Sequence, residues 1–167
     1  MRQRRRATAR RSRAHRAREF EAFVAGAAGR LLHAATLLTA ETPARNPYAR
    51  ELLTAALAAT YARWDRLRGE DPYDIARHEL TERFARAAWR FRRGRGGLLS
   101  PLTPRERLVL VLCLYEGIGE ERAAALLDLP VERVRALCTR AVRAMRVRAR
   151  HRDGRAAGPG TGRGSAP

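Results

Sequence analysis

The chain has 167 residues and a formal net charge of +18, because 35 basic side chains outnumber 17 acidic ones. All of the basic residues are arginines, which bind phosphate through two parallel hydrogen bonds and stack on bases, so a nucleic acid is the expected partner. We expect a cytoplasmic protein without a zinc site, a membrane span or a secretion signal, because its two cysteines, Cys113 and Cys138, are isolated and its apolar runs are short.

Both ends of the chain have compositions typical of disorder. Residues 1–18 contain nine arginines and no acidic residue. We predict a disordered basic arm there, which either contacts phosphates without sequence preference or is merely a solvated tail. Residues 151–167 are rich in glycine and proline, and a second disordered tail is predicted for them.

Residues 19–93 are predicted to form a first helical domain. Apolar residues recur at intervals of three and four from residue 20 to residue 38, which indicates a long helix. Second and third helices are expected after Asn46 and Asp71, since each is an N-cap residue followed by a proline suited to the first turn. No segment alternates with a period of two, so the predicted fold class is all-α, with two small helical domains.

Residues 94–102 interrupt the helical pattern with three glycines and one proline, and they predict a short linker. A second domain is expected over residues 103–150, close to the first because the linker is short. Thr103 and Glu106 have the spacing of a capping box, in which each side chain bonds the other residue's backbone amide. A helix should therefore begin after Thr103 and end near Gly117.

Residues 118–145 have the pattern of a helix-turn-helix. We expect a short helix over residues 120–127, a turn at residues 128–130, and a longer helix after the turn. Ala124 is small where the second helix crosses the first, and Asp128 tolerates the positive φ of the turn. Val134 supplies the branched apolar side chain that packs the second helix on the first.

The outward face of the second helix is basic, as expected for a recognition helix in the major groove, although any basic amphipathic hairpin shares this pattern. Arginines near its start can read guanine edges, and those further along can bind phosphates. Glu132 is unfavourable beside phosphates unless it accepts a hydrogen bond from a cytosine amino group. The predicted DNA-binding residues of this helix are Glu132, Arg133, Arg135, Ala136, Thr139, Arg140 and Arg143.

Residues 19–146 resemble the small extracytoplasmic-function (group IV) sigma factors of bacterial RNA polymerase, especially the short actinobacterial type. The segment LTPRERLVLVLCLYEGIGEERAAALLDLPVERVRALCTRAVRAMR follows region four of that family nearly without gaps, and segments of the first domain follow region two more loosely. The resemblance implies a sigma factor that binds core RNA polymerase and directs it to promoter DNA for transcription initiation. It implies no cofactor, and the recognition helix would read the minus-thirty-five element.

The resemblance also implies roles for residues of the first domain. In the family, the second helix docks on the polymerase clamp, and the third handles the melted minus-ten element. An anti-sigma factor is a further partner that the family often has. The implied polymerase-binding residues are Glu51, Leu52, Thr54, Ala55 and Leu57. The implied minus-ten residues are Arg77, Arg83, Arg86, Trp89 and Arg90.

Four residues depart from the family pattern. Thr54 stands where glutamine is usual, Glu82 where asparagine is usual, Asp128 in place of the turn glycine and Pro130 in place of the N-cap serine. These departures weaken the expectation of promoter opening more than that of upstream-element binding. The alternative is a stand-alone or degenerate sigma-like helix-turn-helix regulator that binds DNA without polymerase. An enzyme is not expected, because the histidines are scattered and no phosphate loop is present.

Overall fold

The structure, a computed structural model, describes the backbone of residues 2–67 and 69–156. It is 78% helical, and over those residues it contains no strand beyond an isolated bridge between Thr42 and Arg45. The prediction of an all-α fold is confirmed. The α-helices are α1 (Arg2–Thr39), α2 (Pro47–Arg63), α3 (Pro72–Arg86), α4 (Pro104–Leu110), α5 (Glu120–Leu127) and α6 (Val131–Ala156).

Helix α1 begins at Arg2, which corrects the prediction of a disordered arm for the part of residues 1–18 that the structure describes. The segment consists largely of arginine and alanine, both good helix formers, which offsets the repulsion between its charges. Arg16 attaches it to the body of the protein. Its guanidinium pairs with Asp65 and lies 4.3 Å from the ring centroid of Tyr61.

By length and composition alone, helix α1 is long and apolar enough to cross a membrane over Arg10–Thr39. Its buried residues lie in the protein core, where Leu31, Ala35 and Leu38 are almost fully inaccessible to solvent. These three residues pack against the other helices of the fold.

Helix α2 begins at Pro47 as predicted, but its N-terminus is capped by a different residue from the one expected. Asn46 makes no side-chain cap; its amide nitrogen donates to Oγ1 of Thr36 at 3.0 Å. The buried carboxylate of Glu41 accepts hydrogen bonds from the backbone amides of Tyr48, at 3.2 Å, and Ala49, at 2.8 Å. A carboxylate at this position also complements the partial positive charge of the helix N-terminus.

Helix α3 is capped by Asp71, whose carboxylate accepts from the backbone amide of Tyr73 at 2.9 Å, as the sequence predicts. The helix ends at Arg86 and is followed by a 3₁₀ turn over Ala88–Phe91. Trp89 and Arg90 were predicted to lie on the third helix and instead lie on this turn. The tighter turn brings Phe91 into the core, where its ring stacks on that of Phe84 at 5.3 Å.

The connection from the first half of the chain to the second packs closely on the end of α1. The backbone amide of Gly97 donates to the carbonyl of Ala40 at 2.9 Å. A Cβ atom at Gly97 would lie 2.1 Å from the carbonyl oxygen of Glu41, so this position requires glycine. The capping box of Thr103 and Glu106 then starts α4 as predicted.

Helix α4 continues into a π-helical segment, Val111–Tyr115, and Gly117 follows with a φ of 69°. Helices α5 and α6 come next, with α6 running to Ala156. It therefore includes the first six residues of the predicted C-terminal tail, and the rest of that tail, residues 157–167, lies outside the described residues.

Helices from both predicted domains contribute to one hydrophobic core, which extends from α1 to α6. Arg107 of α4 lies within it and is fully buried. Its guanidinium donates to the carbonyl oxygens of Leu38 at 2.8 Å, Phe91 at 2.6 Å and Leu102 at 3.0 Å. This residue therefore connects the second half of the chain to two elements of the first.

Candidate nucleic-acid interface

Helices α5 and α6 and the turn between them form the helix-turn-helix that the sequence predicts. Ala124 is buried where the helices cross, and Val134 is fully buried between them. Asp128 adopts the left-handed conformation, with φ 51° and ψ 50°, and the following amide of Leu129 donates to the carbonyl of Ala124 at 3.0 Å. The three positions on which the prediction depended therefore have the expected geometry.

Pro130 precedes α6 and starts the helix through its backbone. Its carbonyl oxygen accepts from the amides of Arg133, at 3.0 Å, and Val134, at 3.2 Å. No side-chain hydrogen bond from Pro130 to the helix is chemically available, because proline carries no polar side-chain atom.

The predicted recognition residues share one solvent-exposed face of α6. Each of them is exposed, whereas Leu137 and Ala141 of the same helix are buried against the core. The face is continuous over about three turns, which is enough to lie along a major groove. We call this surface the recognition face, and its members are Glu132, Arg133, Arg135, Ala136, Thr139, Arg140 and Arg143.

Two arginines of this face are paired with acidic side chains of neighbouring helices. Nε of Arg135 donates to Oε2 of Glu120 at 2.9 Å, and Nε of Arg140 donates to Oε1 of Glu106 at 3.2 Å. Arg133 and Arg143 have no acidic partner in the part of the chain that the structure describes. Two guanidinium groups of this face are therefore in ion pairs, and two have no acidic partner among the described residues.

Glu106 combines a capping role with its contact to the recognition helix. Burial opposes ionisation of its carboxyl group, but hydrogen bonds from Thr103 and the nearby charge of Arg140 outweigh this effect and lower the pKa. The carboxylate is therefore charged near neutral pH. It fixes both the start of α4 and the guanidinium of Arg140.

A groove of about 380 Å³ runs beside the recognition face and is lined by both polar and apolar side chains of α5 and α6. Cys138 lies in it, and burial together with the nearby charge of Glu120 raises the pKa of its thiol. Burial, with smaller contributions from Cys138 and Glu120, raises the pKa of Cys113 to about 11. Both thiols are therefore protonated and weakly nucleophilic at neutral pH.

The predicted polymerase-binding residues lie along α2. Glu51 and Thr54 are exposed, while the other three are half-buried. Glu51 lies 3.9 Å from a guanidinium nitrogen of Arg90. The patch is consequently accessible on its polar side, and its apolar side partly packs into the fold; the half-buried members are Leu52, Ala55 and Leu57.

The predicted minus-ten residues do not form one exposed surface. Arg77 is buried and pairs with Asp74 at 2.9 Å, so its guanidinium is not accessible to a nucleic acid in this structure. The next two predicted arginines form ion pairs with glutamates four residues earlier on α3: Arg83 with Glu79, and Arg86 with Glu82. Trp89 differs from all of these, because its side chain is 70% exposed.

A buried ionic cluster between the two halves of the chain was not predicted. The carboxylate of Glu116 accepts from the hydroxyl group of Tyr73 at 3.0 Å and lies 3.2 Å from a guanidinium nitrogen of Arg30. Burial and the charge of Glu116 raise the pKa of Tyr73 above its ordinary range. Arg77 also faces this carboxylate, at 3.9 Å, which accounts for its burial.

Over residues 2–67 and 69–156, no group of three or more histidine, cysteine, aspartate or glutamate side chains is placed to hold a metal ion. The exposed face of α6 offers guanidinium and hydroxyl donors. Such donors suit recognition of phosphates and base edges.

Residues 98–147 match the family model of sigma-70, region 4. The matched segment includes α4, α5 and most of α6, and this family is a DNA-binding regulatory one rather than a family of enzymes. No curated protein and no solved structure matches the chain significantly. The part of the protein that contains the helix-turn-helix is therefore similar to region 4 of sigma-70 factors, a DNA-binding region used in transcription.

Proposed function

We propose that the protein is a sigma factor of the extracytoplasmic-function type, which directs core RNA polymerase to promoters. The observation that carries the proposal is the helix-turn-helix over residues 120–145, with Asp128 in the left-handed conformation and an exposed basic face, within a segment similar to sigma-70 region 4. In this proposal the chain contributes binding and positioning and no covalent chemistry, and it acts in the cytoplasm, where polymerase and DNA meet.

In this proposal the two halves of the chain have different roles. Residues 19–93 form a region-two-like domain, and residues 103–150 form a region-four-like domain. The recognition face would bind the minus-thirty-five element. Arg133 is suited to a base contact because it lies near the start of α6, where recognition helices reach base edges. Arg143 lies further along and is suited to a phosphate contact.

The first half would supply the contacts to polymerase and to melted DNA. The exposure of Glu51 and Thr54 supports a polymerase contact on α2. The exposed indole of Trp89 supports a role in holding an unpaired base, since aromatic side chains stack on bases of any sequence. Glu82, exposed on α3 and paired with Arg86, places a carboxylate near this region and disfavours a nucleic-acid strand there.

The second candidate function is a sigma-like regulator that binds DNA without polymerase. The burial of Arg77 and the pairing of Arg83 and Arg86 favour it, because these arginines are not free to bind a melted strand in the present arrangement. The two candidates make the same use of α6 and differ in whether α2 binds polymerase. A sigma factor would also be open to control by an anti-sigma factor.

Size-exclusion chromatography of the full chain with bacterial core RNA polymerase separates the two candidates. A sigma factor co-elutes with the core enzyme, and Glu51→Arg should abolish co-elution while leaving binding to duplex DNA unchanged. Glu21→Arg is the matched control, because Glu21 is exposed on α1 and the substitution changes the charge equally. Clean separation of the native chain from core polymerase, with duplex DNA still bound, would establish the regulator instead.

A further inference from the structure

The N-terminal part of α1 is the most basic element of the protein, and neither the helix-turn-helix nor the predicted polymerase contact uses it. Residues 2–18 contain nine arginines and no acidic residue. The segment is helical and continuous with the part of α1 that lies in the core. We call residues 2–18 the basic helix.

The basic helix is held to the rest of the protein at its C-terminal end. Arg16 pairs with Asp65 and lies over the ring of Tyr61, and this pairing raises the pKa of the Arg16 guanidinium. One turn later, the ring of Phe20 contacts those of Tyr61, at 4.8 Å, and Trp64, at 5.1 Å. These contacts fix the direction in which the helix leaves the body of the protein.

Beyond this attachment, the arginine side chains that the structure describes face solvent. Arg10, Arg11 and Arg13 are exposed, and within the described residues none of them pairs with a carboxylate. Exposed like charges on one helix repel one another and destabilise it. A row of anions alongside the helix would relieve this repulsion, so the element is suited to a polyanionic surface.

Duplex DNA fits this surface better than a lipid membrane does. The apolar residues between positions 2 and 18 are all alanines, so the segment offers no large side chain for insertion between lipids. Arginine binds phosphate with two hydrogen bonds, and a helix of this length, about 25 Å, covers several phosphates of a DNA strand. We propose that the basic helix is a second DNA-binding element, which contacts the phosphate backbone without reading its sequence.

The proposal goes beyond the function proposed above, since it requires neither polymerase nor a specific promoter. Its energetic signature is the release of condensed cations from DNA. The logarithm of the DNA-binding constant K falls linearly with the logarithm of the salt concentration. Each phosphate that a protein neutralises makes this negative slope steeper by about 0.9. The helix-turn-helix makes its own contribution to the salt dependence. Substitutions in the basic helix should leave that contribution unchanged.

The test is the salt dependence of binding to a fluorescein-labelled duplex of arbitrary sequence, measured by fluorescence anisotropy with the full chain. The basic-helix variant is Arg10→Gln, Arg11→Gln and Arg13→Gln, which retains good helix formers. The matched control is Arg45→Gln, Arg66→Gln and Arg105→Gln, three exposed positions elsewhere that remove the same charge. We expect both variants to fold with the core unchanged, because all six side chains are exposed and lie outside it.

We expect the magnitude of the slope to decrease by about 2–3 in the basic-helix variant and by less than about 1 in the control. The basic-helix variant should also lose affinity for the duplex by roughly 10- to 100-fold at low salt. Replacement of the same three residues by lysine should restore most of the slope. Equal losses in the two variants would show that net charge alone matters and would overturn the proposal. An unchanged slope in the basic-helix variant would also overturn the proposal. Co-sedimentation with anionic phosphatidylserine vesicles tests the membrane alternative. If the basic-helix variant kept its DNA binding but no longer co-sedimented with the vesicles, the helix would bind membranes and the proposal would be overturned.

Discussion

Arg135 of the recognition helix donates from Nε to Oε2 of Glu120 on the preceding helix, at 2.9 Å. Both side chains are substantially exposed, at 57% and 36%. An exposed pair of this kind adds little to folding stability. Its main effect is on the recognition face, where the carboxylate partly neutralises an arginine that the sequence predicts to contact DNA.

Replacing Glu120 with glutamine should therefore strengthen DNA binding. The substitution removes a negative charge beside the phosphates and frees the Arg135 guanidinium. We expect the Kd for duplex DNA, measured by anisotropy at fixed salt, to fall several-fold, while the free energy of unfolding changes by less than about 0.5 kcal/mol.

The matched control is Glu121→Gln, one residue further along α5, where the side chain is exposed and forms no ion pair within the described residues. It removes the same charge without freeing Arg135, so its effect on Kd should be smaller. Equal effects of the two substitutions would mean that the pairing does not limit DNA binding.

The turn of the helix-turn-helix yields a prediction on stability. Asp128 has a φ of 51°, a conformation that glycine adopts without steric cost and that β-branched residues strongly disfavour. Asp128→Gly should be neutral or slightly stabilising, while Asp128→Val should lower the free energy of unfolding by about 1–2 kcal/mol. Urea denaturation followed by circular dichroism measures both, and a valine variant as stable as the native chain would contradict the assigned turn geometry.

Arg107 is expected to be the most sensitive position in the core. Arg107→Met removes the donors to three buried carbonyl oxygens, each of which costs about 1–3 kcal/mol when left unsatisfied. We therefore expect a loss of at least about 3 kcal/mol in the free energy of unfolding, measured by urea denaturation.

Arg107→Lys should recover only part of this loss, since a single ammonium group cannot reach three carbonyls as the guanidinium fork does. Arg105→Met is the control, an exposed position two residues away that should change stability by less than about 0.5 kcal/mol. If the Arg107 and Arg105 variants were equally stable, the three hydrogen bonds would not be present in solution.

Glu106 should make the protein more sensitive to acid. Its pKa is lowered in the folded state, so its contribution to stability is present above the ordinary glutamate pKa and is lost as the pH falls through the lower folded value. Urea midpoints between pH 7 and pH 3 should therefore fall more steeply in the native chain than in Glu106→Gln. Glu21→Gln, at an exposed position, should retain the native pH dependence, and a Glu106→Gln profile parallel to the native one would contradict the prediction.

The features that the sequence predicts well depend on interactions between near neighbours. The caps at Asp71 and Thr103 and the left-handed turn at Asp128 each involve residues within a few positions of one another. Hydrophobic spacing likewise predicts the helices, because each buried face repeats every three or four residues. The all-α fold and the helix-turn-helix follow from these local rules.

The features that the sequence did not predict depend on residues that are distant along the chain. Glu41 caps α2 from eight residues away, in place of the adjacent Asn46, and Arg107 bonds Leu38 across 69 residues. The acidic partners of the recognition face are 15 and 34 residues from the arginines they hold. The sequence of α6 alone therefore does not reveal which of its arginines are held in ion pairs.

The three hydrogen bonds of Arg107 also bear on how this protein could have been assembled in evolution. A helix-turn-helix that moves between proteins by recombination must carry its own core with it. Here two of the acceptors for Arg107, at Leu38 and Phe91, lie outside the segment that matches sigma-70 region 4. Transfer of that segment alone would keep the acceptor at Leu102 and lose the other two, so the segment depends on the helices that precede it to satisfy its buried cation.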